Sequence, residues 1–343
     1  MRNLSKISTK NLSDAPFFYE NWQAELADSL SDVGELYAYL GLDMPDGYYA
    51  PKDFGLRVPK AFADKMSKGN LKDPLLLQVL PDIQETILAV GYTHDPLAEN
   101  DQNPTKGLLH KYKNRVLITA TGACAVHCRY CFRQHFDYQA NMPNREELVK
   151  IGEYISSNHQ IDEVIFSGGD PLSLSHRRLL VWFEMMNALP NVKTIRIHTR
   201  LPVVLPNRVD QELLSLLKSS PKNIVMVLHI NHPNEIDEVL ANKCQLLRQA
   251  GVTLLNQTVL LKGVNDEVNT LCKLSHALFD MGVLPYYLHI LDKVQGASHF
   301  DLPIARAVQI YWQLLENMSG YLVPKLVQEL PNRPYKTPVN LHQ

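Results

Sequence analysis

Apolar residues recur at two different periods along this chain, and the change falls near residue 105. Before it, Trp22, Leu26 and Leu30 stand four apart within Tyr19–Ser31, the spacing of one helix face. A second helix is predicted over Ser31–Leu40, where Gly41 stops it. Pro45-Asp46-Gly47 forms a turn cluster, and Asp73-Pro74 opens another apolar helical stretch. No strand-helix unit repeats in 1–105, so this part reads as a helical accessory region.

From Arg115 onward short β-rich runs alternate with helical stretches. The runs are Val116–Thr121, Glu163–Ser167, Thr194–Thr199, Ile224–Ile230, Thr253–Leu261 and Leu284–Leu291. The last five begin at intervals of 31, 30, 29 and 31 residues. Helical patterns such as Leu179–Leu189, Gln211–Lys218, Glu235–Ala250 and Val268–Met281 lie between them. One strand and one helix in every unit of this length is the βαβ pattern, whose right-handed crossovers give a parallel sheet. Unusual polar residues follow the strand ends, as the cysteines, Ser167–Asp170, His198–Arg200, His229–His232 and Asp292, or stand within the run, as Asn256-Gln257 in the fifth. An open sheet gathers ligands at one switch point, whereas a barrel presents a continuous rim. Six contributing strands favour an α/β fold with a partial (βα)6 barrel over 106–321.

Composition narrows the class without changing it. Apolar residues make up 45% and charged residues 20%, ordinary for a globular protein. A formal net charge of −2 lacks the broad positive field of a non-specific nucleic-acid binder. No apolar run is long enough to cross a bilayer, so no membrane role is expected. The polar start Met1–Lys6 lacks a signal core, which gives a cytoplasmic expectation.

Five cysteines are too few for a disulfide scaffold, yet three fall together as Cys124, Cys128 and Cys131 directly after a strand. Thiolates are soft ligands that select iron–sulfur clusters, zinc or copper(I). Three on one loop match three corners of a cubane cluster and leave an iron open for a substrate or cofactor. Zinc with His127 or His135 as fourth ligand is the alternative, ahead of buried free thiols.

C-x3-C-x2-C after the first barrel strand, with Tyr130 just before the last cysteine, resembles the radical S-adenosylmethionine superfamily. The resemblance implies a four-iron, four-sulfur cluster on the three cysteines, with S-adenosylmethionine chelated at the open iron. Ser167-Gly168-Gly169-Asp170 resembles the motif that contacts the methionyl amine. His110–Leu117, His229–Glu235, Asn256–Leu261, Gly263–Asp266 and Pro285–Tyr287 narrow the likeness to the lysine 2,3-aminomutase family, over roughly 100–340. That family adds pyridoxal phosphate, bound as a Schiff base to a lysine near the C-terminus. Lys336, in the segment 322–343, is followed by Thr-Pro as in the family, although Asn332, Arg333, Pro334 and Tyr335 replace its glycines.

The same resemblance assigns Arg133 to the substrate carboxylate, and Asp292 and Glu329 to the ε-ammonium. Glu329 stands where the family has aspartate. Gln257 is placed near pyridoxal phosphate, His229 near S-adenosylmethionine, and Arg200 at a phosphate. The reaction implied is isomerisation of (S)-α-lysine to (R)-β-lysine, with flavodoxin or ferredoxin as electron donor. The Pro-containing lysine segment and short tail look most like the branch that serves elongation factor P, where a lysyl-tRNA-synthetase-like ligase attaches the product. A free β-lysine pool and a zinc-bearing scaffold protein are the rival readings.

Overall fold

The computed structural model describes residues 21–48, 54–99, 103–331 and 333–341. Met1–Lys6, Tyr19 and Asn332 of the sequence reading lie outside them. Among the described residues nine strands form one sheet in sequence order: β1 Leu108–Tyr112, β2 Arg115–Thr121, β3 Glu163–Gly168, β4 Thr194–Thr199, β5 Asn223–His229, β6 Thr253–Val259, β7 Leu284–His289, β8 Lys325–Gln328 and β9 Thr337–Pro338. β2 to β8 run parallel, while β1 and β9 pair antiparallel at the two edges. The order never reverses, so there is no switch point, and β1 and β9 do not pair. This is a partial barrel, as expected, built from six strand-helix units and closed off by β8.

The strand alternation explains what each face does. In β4, Ile195 and Ile197 are fully buried against the outer helices, while Arg196 and His198 point the other way into a central cavity. In β6, Leu254, Asn256 and Thr258 are buried, and Gln257 and Val259 face that cavity. The outward apolar set packs on the helices Arg145–Ser157, His176–Ala188, Gln211–Ser219 and Glu238–Gln249 through Ile151, Phe183, Leu217 and Leu247. Each such side chain contributes about 1.5–3 kcal/mol on burial.

The same core continues into the N-terminal region through Trp22, Leu36, Phe62 and Leu76. Within 21–48, helices form over Trp22–Ala27, N-capped by Asn21, and Val33–Leu40, N-capped by Asp32. Gly41 ends the second in the left-handed conformation, at φ 63°. This region braces the loop after β2. Arg129 is fully buried, ion-paired to Glu85, and donates to the Phe54 carbonyl at 2.7 Å. His127 N and Arg129 N donate to the carbonyls of Arg57 and Gln78 at 3.0 and 2.9 Å.

Candidate active site

All fourteen residues singled out from the sequence line one cavity on the inner face of the sheet. It has two chemically distinct ends.

At one end the cysteine loop is pressed onto the end of β3. Gly169 N donates to Thr121 O at 2.7 Å and Asp170 N to Ala123 O at 2.8 Å. A Cβ on Gly169 would stand 2.4 Å from Ala123 O, and Gly168 adopts φ +108°, so both positions require glycine. The Asp170 carboxylate accepts from Thr199 Oγ1 at 2.7 Å, Arg200 N at 2.7 Å, Leu201 N at 2.9 Å and Leu172 N at 3.0 Å. Its oxygens are thus engaged in tying the end of β3 to the end of β4.

Burial, then the neighbouring thiols, pushes Cys124 well up and Cys131 up to about 12. Three thiolates crowded there need a cationic centre to be held together. Among the described residues, no three of His, Cys, Asp or Glu converge on a single ion. A cubane takes one thiolate at each iron, so it does not require such convergence. Neither histidine of the zinc alternative lines the cavity. His127 Nδ1 bonds Gly55 O at 2.9 Å and His135 Nε2 bonds Gln295 O at 3.0 Å. The donor set fits an iron–sulfur cluster.

At the other end the short β8–β9 pair carries Glu329 and Lys336. These two form an ion pair, and the second Glu329 oxygen accepts from Lys111 Nζ and Tyr112 OH, each at 3.1 Å. Burial alone would raise the Glu329 carboxyl, but Lys336 and Lys111 hold it well below the usual carboxylate range. Lys336 is held above its ordinary value because Glu329 outweighs the cost of burial. Arg196 and Arg115 face the same cavity, and Arg196 Nε is buried without a hydrogen-bond partner. A lysine able to form a covalent bond, in one cavity with an arginine that pairs with Glu163 but keeps Nε free, fits a phosphate-bearing aldehyde such as pyridoxal phosphate.

Between the ends lie Arg133, Asp292, His229 and Gln257. Arg133 donates through Nε and Nη2 to the two Glu99 oxygens, both at 2.7 Å, and through Nη1 to Ser167 Oγ at 3.1 Å. Burial, then Glu329 and Glu99, raises Asp292 to about 7, with Lys336 and Lys111 opposing. His229 is pushed down to about 3 by burial and by Arg200, so its ring is neutral; Nε2 sits 2.9 Å from Tyr130 OH. Gln257 stands beside His229 in the β5–β6 register. Arg200 lies at the cysteine end, with Nη1 2.8 Å from Cys128 Sγ.

Several lining residues had no role in the sequence reading: Glu99, Lys111, Arg115, Arg196 and His198. Arg196 and His198 were recoverable from the alternation in β4. Lys111 and Arg115 sat unassigned inside His110–Leu117. Nothing local marks Glu99.

The cavity defines a barrel with three thiols on one loop that fit an iron–sulfur cluster, and the Radical SAM superfamily profile matches residues 118–274. Relatives narrow the class. The chain is 48% identical over 326 residues to an L-lysine 2,3-aminomutase of Escherichia coli (strain K12), covering 94% of this chain and 95% of that one. It is 49% identical to that of Haemophilus influenzae, at 93% and 95% coverage, and 35% identical to that of Clostridium subterminale, at 96% and 80%. The chain belongs to the lysine 2,3-aminomutase family of radical S-adenosylmethionine isomerases. Its cofactors are those of the family: a four-iron, four-sulfur cluster, S-adenosylmethionine and pyridoxal phosphate.

Proposed function

We propose that this chain converts L-lysine to (R)-β-lysine and that the product serves elongation factor P. The observation that carries the reaction is one cavity in which three clustered thiols, a covalently competent lysine and charges of both signs meet. Together the bound cofactors supply a carbon-centred radical and an electrophilic carbonyl that holds the migrating amine.

The chain's own residues bind and orient. Cys124, Cys128 and Cys131 hold the cluster, and Ser167–Asp170 fix the wall against it. Lys336 carries pyridoxal phosphate, with Arg196, Arg115 and Lys111 as phosphate donors. Arg133 takes the substrate carboxylate in bidentate fashion, in the place of the Glu99 oxygens. Asp292 and Glu329 take the ε-ammonium. Glu329 already pairs with the ammonium of Lys336, which supports its binding of a second ammonium of the same kind. Charge at both ends of lysine sets the position of carbons 2 and 3, and a 1 Å error there costs on the order of a hundredfold. Reduction comes from a flavodoxin or ferredoxin in the cytoplasm.

The reading of the product's destination rests on the likeness of the Arg333-Pro334-Tyr335-Lys336 segment to the branch that serves elongation factor P. An anaerobic assay with reductant, S-adenosylmethionine, pyridoxal phosphate and L-lysine, resolved by chiral chromatography, tests the reaction. (R)-β-Lysine is expected; 5′-deoxyadenosine without β-lysine rejects lysine as substrate. In a strain lacking the gene, elongation factor P should keep its unmodified mass until β-lysine is supplied. Full modification in that strain overturns the destination and favours a free pool.

A further inference from the structure

Beside Cys128 lies a buried polar cluster that none of the roles above uses. Arg200 is 6% exposed, and Glu235 and Asn231 are fully buried. Arg200 Nη1 donates to Cys128 Sγ and to Tyr130 OH, each at 2.8 Å, while Nη2 donates to Gln78 Oε1 at 2.7 Å and Glu235 Oε2 at 3.0 Å. Its backbone N donates to Asp170 at 2.7 Å. The Glu235 oxygen on the far side is filled by Asn231 N at 2.9 Å and His232 N at 3.0 Å. Four side chains therefore fix the plane of the guanidinium through its two terminal nitrogens, Nε being buried without a partner, and the Asp170 bond anchors the backbone beneath it.

Burying such a pair is rarely the most stable way to fill a core, since packed apolar residues of similar volume often do better. The geometry gives it another use. An N–H···S bond and a nearby positive charge both favour the more negative state of a metal–thiolate centre, and cluster potentials follow these two variables. The geometry points to Arg200 as the positioning residue that raises the cluster's reduction potential through Cys128, with Glu235 setting how much of that charge is felt. The inference rests on the reading that Cys128 ligates the cluster. It also gives Arg200 a place at the cluster instead of at a phosphate.

The test is a redox titration of the anaerobically reconstituted full chain, followed by electron paramagnetic resonance, with iron counted in every sample. In Arg200→Met the reduced-to-oxidised ratio at a fixed potential should fall about tenfold, or 59 mV for one electron. Arg200→Lys should recover part of the shift. Glu235→Gln keeps an acceptor oxygen for one side only and removes the opposing charge, so its midpoint should move the other way. Full iron with unchanged midpoints in Arg200→Met and Glu235→Gln overturns the inference. If Arg200→Met does not hold iron, Glu235→Gln decides alone: a positive shift supports the role, and an unchanged or negative one sinks it. Retention of full iron by Cys128→Ala would instead remove the ligation reading beneath it.

Discussion

The two ends of the cavity are built on opposite plans. The cysteine end sits on consecutive residues of one loop, clamped between the β3 terminus and the N-terminal region by backbone bonds and buried, satisfied side chains. The lysine end joins β1 to the β8–β9 connection, with Lys111 and Glu329 standing 218 residues apart, and β9 is only two residues long. There the stabilisation is electrostatic, with Glu329 shared between Lys336 and Lys111. One end is rigid through geometry and the other is poised through charge. That difference suits a cluster that stays put and a lysine that must exchange partners.

The largest effects should separate the ends cleanly. Cys128→Ala should lose iron and turnover while still taking pyridoxal phosphate on Lys336, shown by borohydride reduction and peptide mapping. Lys336→Ala should keep its iron and lose turnover by about 10³-fold or more, as removal of a covalent group does. Loss of both cofactors in either variant would mean that the ends fold as one unit. Gly169→Ala probes the clamp itself: a Cβ 2.4 Å from Ala123 O should cost about 1–3 kcal/mol in thermal unfolding and lower the iron content.

Legibility followed the same division. The six-unit barrel was readable because β3 to β7 repeat near thirty residues, and the bounds of β2 to β7 fall within two residues of those expected from the sequence. β8, four residues long, and β9, two residues long, carry no such pattern, since their pairing is decided by the neighbouring strand. The cysteine loop announced itself by spacing alone. Lys336 was reached through family resemblance, because an isolated lysine has no local signature. Glu99 was missed for a related reason: its meaning lies wholly in the bidentate bond to Arg133, thirty-four residues on.

Substrate charge gives the next effects in size. Asp292→Asn and Glu329→Gln should each raise KM for lysine by roughly thirtyfold, the consequence of removing one partner of a buried charge pair. Asp292 also makes binding depend on pH. Its carboxyl is raised to about 7, so below that pH it is protonated and has no charge for the ammonium. KM should therefore climb as pH falls through about 7, by at most about tenfold per unit, and Asp292→Asn should flatten that limb. A profile unchanged in Asp292→Asn would assign the titration elsewhere.

The smallest predicted effect runs in the opposite direction and bears on the seam between the ends. Glu99 occupies two Arg133 donors, at 2.7 Å each, that the substrate carboxylate would use under the proposed function. Its charge also helps to raise the Asp292 carboxyl. Glu99→Gln keeps one acceptor for Arg133 but removes the competing charge, so KM for lysine should fall about two- to fivefold, the net of losing a competitor while one buried bond is kept. The pH limb should shift to lower pH in the same variant, because Asp292 loses one of the neighbours that raises it. A higher KM with the limb unmoved would mean that Glu99 orients Arg133 for substrate instead of competing with it. The seam would then belong to the rigid, geometric end of the cavity.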